Sequence, residues 1–152
     1  MKKVLSFILA VMMLATMTMA VSAENPVRVS VENEMIALIP DPVIVNDRTL
    51  APMEEMFTVL GISYALDEAS NTIMTMKDGK AAVMQVDNTI FGLENEQATL
   101  DAAPQVVEGK IMIPVRAVAE AYGYNVDWVA EERLVVISGI PDLGSKDGLG
   151  GE

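Results

Sequence analysis

Pro42-Val-Ile-Val-Asn-Asp-Arg-Thr-Leu-Ala-Pro52 and Pro104-Gln-Val-Val-Glu-Gly-Lys-Ile-Met-Ile-Pro114 can be laid one on the other so that both prolines coincide with nothing inserted between them. The register continues beyond them: Gly61 falls on Gly123, Tyr64 on Val126, Leu66 on Trp128 and Ile73 on Val135. Identity is sparse, so the match lies in residue types, and those read as one packing module written twice.

Each segment of the module has a physical reading. Asn46-Asp47 and Glu108-Gly109 interrupt short β-branched runs, which is the chemistry of a hairpin turn. After the second proline, Met53, Met56, Phe57 and Leu60 stand at i, i+3, i+4 and i+7, and Val115, Val118, Ala119 and Tyr122 repeat that spacing. Both stretches predict a short helix with one buried stripe. Pro52 and Pro114 suit the first helical turn, and Gly61 and Gly123 suit the left-handed stop after the last. That leaves the N-cap positions to Ala51 and Ile113, which cannot cap with a side chain. Beyond each glycine the period becomes two: Ile62, Tyr64 and Leu66 in one copy, Tyr124, Val126 and Trp128 in the other, with one face of each strand expected inside. After the polar intervals Asp67 to Asn71 and Ala130 to Arg133, the runs Ile73 to Met76 and Leu134 to Ile137 supply return strands. Upstream, Val27, Val29 and Val31 alternate before a turn at Glu32-Asn33-Glu34, and the second copy answers with Ala82 to Val86, Asp87-Asn88, and Thr89 to Leu93.

The fold expected is α+β: two pseudo-repeats of antiparallel β-hairpins, each with one short helix packed on the sheet. The boundaries are a signal peptide at 1–23, a first repeat at 24–78, a second at 79–140, and a Gly-rich polar tail at 141–152 expected to be disordered. Repeats this small are expected to share one core. The signal rests on Lys2 and Lys3, the apolar run from Val4 to Val21, and the small residues Val21-Ser22-Ala23, which place cleavage before Glu24. A retained anchor is the alternative, because the run could nearly span a bilayer. The expectation is a secreted or extracytoplasmic protein with no stable membrane anchor once the signal is cleaved. The chain has no cysteine, so neither a lipid anchor nor a disulfide is available to it.

These residues resemble the copper amine oxidase N-terminal domain family, also called the stalk domain. Its repeats carry a pattern of the form Asn-Gly-Arg-Thr-Met-Val-Pro-Leu-Arg, then a short helix ending in Leu-Gly, a strand with Trp-Asp and a valine-rich last strand. Asn46-Asp47-Arg48-Thr49-Leu50-Ala51-Pro52 is similar to it, as are Glu108 to Arg116, Ala119 to Gly123 and Asp127-Trp128. The resemblance spans about Val27 to Ile137. It implies antiparallel strands curled around helices, in proteins exported by Gram-positive bacteria, and a non-catalytic role without copper. Glu54 stands where the pattern has arginine, and Leu66 and Val129 stand where it has tryptophan and aspartate.

Composition narrows the chemistry. With no histidine and no cysteine, the usual ligands of a transition metal and the usual catalytic bases and thiols are missing, so no metal and no cofactor are expected. A formal charge of −12 makes nucleic acid a poor partner. Glu54-Glu55 and Glu131-Glu132 are neighbouring carboxylates, read as solvated charge rather than a catalytic pair because adjacent side chains on a helix diverge. Asp78-Gly79 and Asp147-Gly148 are turn signals, and no run matches a calcium-binding loop. Two residues stand out as ligand-binding candidates. Arg116 could clamp an anion, or simply bridge helix to sheet. Trp128 could stack a ligand, although an inward-facing tryptophan is ordinarily core. The twelve methionines read as core filling where they are not in the signal.

The function expected is a non-catalytic extracytoplasmic structural or binding module that contacts a cell-wall component or an exported protein. Two alternatives stand beside it: a carboxylate-dependent secreted hydrolase, which needs a cleft with two facing acids, and an inhibitor or accessory subunit of a secreted enzyme, which needs an exposed apolar patch.

Overall fold

The computed structural model describes residues 24–139, so the expected signal peptide at 1–23 and the tail at 141–152 lie outside the described residues. In chain order the elements are β1 (Arg28–Val31), β2 (Glu34–Ile36), β3 (Val43–Val45), β4 (Arg48–Pro52), α1 (Met53–Leu60), β5 (Ser63–Asp67), β6 (Thr72–Lys77), β7 (Lys80–Gln85), β8 (Ile90–Leu93), β9 (Gln97–Thr99), β10 (Gln105–Val107), β11 (Lys110–Pro114), α2 (Val115–Ala121), β12 (Asn125–Val129) and β13 (Leu134–Ser138). The class is α+β, mostly strand with two short helices.

The turns form where the sequence places them. Asn46 and Asp47 take φ of 50° and 62°, and Glu108 and Gly109 take 51° and 79°. Two successive left-handed residues match the twist of the flanking strands, closing β3 on β4 and β10 on β11. The two hairpins then join edge to edge through β4 and β11, giving a central sheet of order β10-β11-β4-β3. In that joint Ala51 lies opposite Ile113, Leu50 opposite Pro114 and Pro52 opposite Met112. Directly opposed residues share a face. Ala51 and Ile113 therefore enter the main core together, while Leu50 and Met112 turn to the other face and pack with Ala102 in a second, smaller cluster.

Both helices lie against the central sheet, α1 on β4, β11 and β5, and α2 on β4, β11 and β12. Their stripes are buried as the spacing requires: Met53, Met56, Phe57 and Leu60 in α1, and Val115, Val118 and Ala119 in α2. The helix starts differ from expectation by one residue. Pro52 is still extended (φ −54°, ψ 126°) and still paired with Met112, so it ends β4 and acts as the N-cap, as Pro114 does for α2. Gly61 closes α1 in the left-handed conformation, φ 67°.

Two further sheets flank the centre, ordered β12-β13-β1-β2 and β5-β6-β7-β8-β9. Each joins the first hairpin of one half of the chain to the last hairpin of the other. The joint β6–β7 is antiparallel, but β1 runs parallel to β13, with Arg28 opposite Leu134 and Val31 opposite Ile137. The hairpins themselves are antiparallel as expected, and the parallel pair is a joint between hairpins that the sequence reading did not foresee. A parallel pair needs a long crossover, and the whole chain between β1 and β13 provides it. Strand β9 was not foreseen, because Gln97-Ala98-Thr99 has no apolar alternation and all three residues are exposed.

One core cluster combines residues from both halves, Phe57, Leu60 and Ile73 with Val118, Val126 and Ile137 among them. Polar ties cross the same line. Tyr122 and Thr75 share a hydrogen bond between hydroxyls, and the Tyr124 hydroxyl donates to the Leu60 carbonyl at 2.9 Å. Met53, Met56, Met84 and Met112 are buried, but Met35, Met74 and Met76 are about half exposed. Core filling thus accounts for only part of the methionine content.

A candidate binding groove between three sheet edges

Strand order decides where the fold is open. Strands β3, β9 and β12 are each the outermost strand of a different sheet, and all three border one groove of about 740 Å³. Helix α2 forms a further wall. The floor is apolar, made by buried side chains such as Phe91, Leu100, Val115, Val126 and Val135. Charged residues stand around the rim: Asp47, Arg48, Asp101, Arg116, Glu120 and Asp127.

Both residues singled out from the sequence reach this groove. Trp128, expected inside, is 39% exposed. On the same strand Val126 is buried, but β12 is an outer strand and the described residues leave more than a third of Trp128 open. Arg116 lies 3.6 Å from Glu120, one turn further along the same helix. It therefore does not tie helix to sheet, which corrects the simple structural role expected for it. A half-exposed pair at that spacing contributes about 0.3–0.5 kcal/mol, so the guanidinium remains available to a ligand.

The rest of the rim was not anticipated. Arg48 donates from Nε (2.9 Å) and Nη2 (2.7 Å) to a single oxygen of Asp101, and Asn46 Nδ2 donates to the Asp101 backbone carbonyl at 3.1 Å. These bonds pin the loop after β9 to the β3–β4 hairpin and fix the width of the groove there. The signal was present in the turn motif Asn46-Asp47-Arg48, but its partner is far along the chain. Asp47 and Asp127 form no ion pair among the described residues.

The neighbouring carboxylates are not a catalytic pair in geometry. Glu54 is exposed, whereas Glu55 accepts from Lys110 Nζ at 2.8 Å. That hydrogen bond holds the Glu55 carboxyl below its ordinary value, against burial that pushes it up, and it raises the Lys110 ammonium correspondingly. Glu55 Oε2 is buried without a partner. It is this bridge, from α1 to β11, that ties helix to sheet. Glu131 and Glu132 sit in a single 3₁₀ turn, Ala130–Glu132, before β13.

Among the described residues no group of three or more metal-ligating side chains is gathered. With no histidine or cysteine in the chain, the donor set does not fit copper. No described helix is long and apolar enough to cross a membrane. The profile of the copper amine oxidase N-terminal domain matches residues 30–137, well over half of the chain. No curated protein matches the chain significantly.

Proposed function

The chain belongs to the copper amine oxidase N-terminal domain family, and from that premise we propose that it is a non-catalytic, stalk-like binding module working outside the cytoplasm. It holds a cell-envelope component or an exported partner in the groove beside α2. The observation that carries this reading is the meeting of Trp128 and Arg116 at one open groove with an apolar floor. An exposed aromatic ring, a half-free guanidinium and pinned walls make a recognition surface. Two of the four rim acids are held by arginines, Asp101 by Arg48 and Glu120 by Arg116, an arrangement that serves shape rather than proton transfer.

The module is built from two copies of one unit, 24–78 and 79–140, around a shared core. The opposition of Ala51 to Ile113 supports this, because each is the other's counterpart when Pro52 is laid on Pro114. A two-fold relation would put equivalent residues face to face in just this way. The same superposition lays Glu55 on Ala117 and Lys110 on Arg48. One copy therefore has a salt bridge where the other has a small side chain at the groove wall. The two copies thus differ at the position that, in the second, borders the groove.

Co-sedimentation of residues 24–152 with purified Gram-positive cell walls tests the reading, across a salt series and with or without calcium. Saturable binding that survives salt and is lost in Trp128→Ala is expected. Equal binding by that variant would remove the groove from the function. No binding under any condition would overturn an envelope ligand.

A further inference from the structure

The groove has a feature that the choice of partner can be read from. Three consecutive residues of β12, Val126, Asp127 and Trp128, all line it, as do the consecutive Ala98 and Thr99 of β9. Neighbouring side chains on a strand point to opposite faces. A single cavity touches all of them only where it runs along the strand's open edge, where alternate backbone N–H and C=O groups have no ladder partner.

We propose that the groove takes an extended peptide segment of a partner protein, paired as an added strand on the open edge of β12, in which apolar residues alternate with lysine or arginine. The inference rests on the binding-module reading above and names its partner's chemistry. An added strand places alternate side chains beside Val126 and Trp128 on the floor side and the intervening ones beside Asp127 on the other. The first positions favour apolar residues and the second favours a cation. Asp47 adds a second carboxylate without an ion-pair partner among the described residues. The rim, with four acids against two arginines, carries the same sign as the chain as a whole, which stands at −12. Charge complementarity thus selects a basic strand over an acidic one and speeds its approach.

Trp128 is the chain's sole tryptophan, so its fluorescence reports the groove without a label. The test titrates residues 24–152 with a short blocked peptide of alternating valine and lysine. Two comparison peptides accompany it, one of alternating valine and glutamate, the other with valine and lysine but methylated on the amides that would face β12. A saturable spectral change with the first peptide, and none with the other two over the same range, is expected. The affinity falls with added salt and weakens about two- to fivefold in Asp127→Asn, the loss of one exposed charge pair. Equal binding of the methylated peptide would overturn strand pairing. Equal binding of the glutamate peptide, or an unchanged affinity in Asp127→Asn, would overturn the selection for a basic strand. If no peptide changes the fluorescence, the peptide inference fails. Wall sedimentation then judges the broader reading separately.

Discussion

The joint between β4 and β11 makes a demanding test of whether the two halves share one core. Ile113 is buried and lies opposite the smaller Ala51 on the face that enters the main cluster. Ile113→Ala removes three buried carbons, about 2.4 kcal/mol at roughly 0.8 kcal/mol each, and a cavity that relaxes only in part brings the loss to about 3–4 kcal/mol. A fold of this size holds on the order of 10 kcal/mol, so the variant still folds, with Tm lowered by about 12–16 °C. Ala51→Ile alone overpacks the same site and costs about 1–3 kcal/mol. The exchange Ala51→Ile/Ile113→Ala restores the summed volume across the pair, and is expected to be more stable than the two single effects added by at least about 1 kcal/mol. Urea unfolding followed both by Trp128 fluorescence and by far-ultraviolet circular dichroism measures each term. Trp128 reports the β12 sheet, and dichroism reports every strand. Coincident transitions that move together in every variant are expected. Separate transitions, with Ile113→Ala shifting only one, would refute the shared core. Additivity within about 0.5 kcal/mol would refute the shared face. Val83→Ala, on an exposed sheet face, serves as the control and should stay within about 0.5 kcal/mol of the parent.

Three other outcomes follow from particular contacts. Gly61→Ala forces a side chain into a left-handed position whose Cβ would lie 3.3 Å from the Lys77 ammonium, the far end of a long side chain; the main strain is in the backbone, about 1–2 kcal/mol, and an unchanged thermal midpoint would refute the left-handed cap. The Lys110 bond lowers the Glu55 carboxyl from its ordinary 4.5 and raises the ammonium from 10.5. Its stabilisation is present between those values, fades as pH falls through the depressed carboxyl value, and fades again as pH rises through the raised ammonium value. The stability gap between parent and Glu55→Gln should therefore shrink as urea melts are taken from pH 7 toward pH 3, and a gap that holds constant would refute the assignment. Burial raises the Tyr122 phenol above its ordinary 10.0 although the Thr75 hydrogen bond opposes it; Tyr122→Phe should cost about 1 kcal/mol and take its share of the phenolate absorbance from the most alkaline part of a titration, while a loss from the early part of the rise would refute the upward shift.

What the sequence discloses and what it withholds divide along the range of the forces involved. The hairpin at Asn46-Asp47, the stripe through Met53, Met56, Phe57 and Leu60, and the left-handed stop at Gly61 depend on neighbours within a few residues, and all were legible. The parallel pairing of β1 with β13 was not, because it joins the two ends of the described chain and nothing local announces it. Trp128 shows the same division within one residue. Alternation correctly set Val126 and Trp128 on one face, and the buried Val126 follows. Whether that face is covered all along the strand depends on which strand is outermost, a property of strand order rather than of period. The tie between Arg48 and Asp101 joins the β3–β4 hairpin to the loop after β9, residues more than fifty positions apart that no local pattern pairs. A groove framed by the edges of three sheets is by construction a long-range object. Its residues could be named in advance as unusual, as Arg116 and Trp128 were, but they could be placed side by side only once the order of the strands was known.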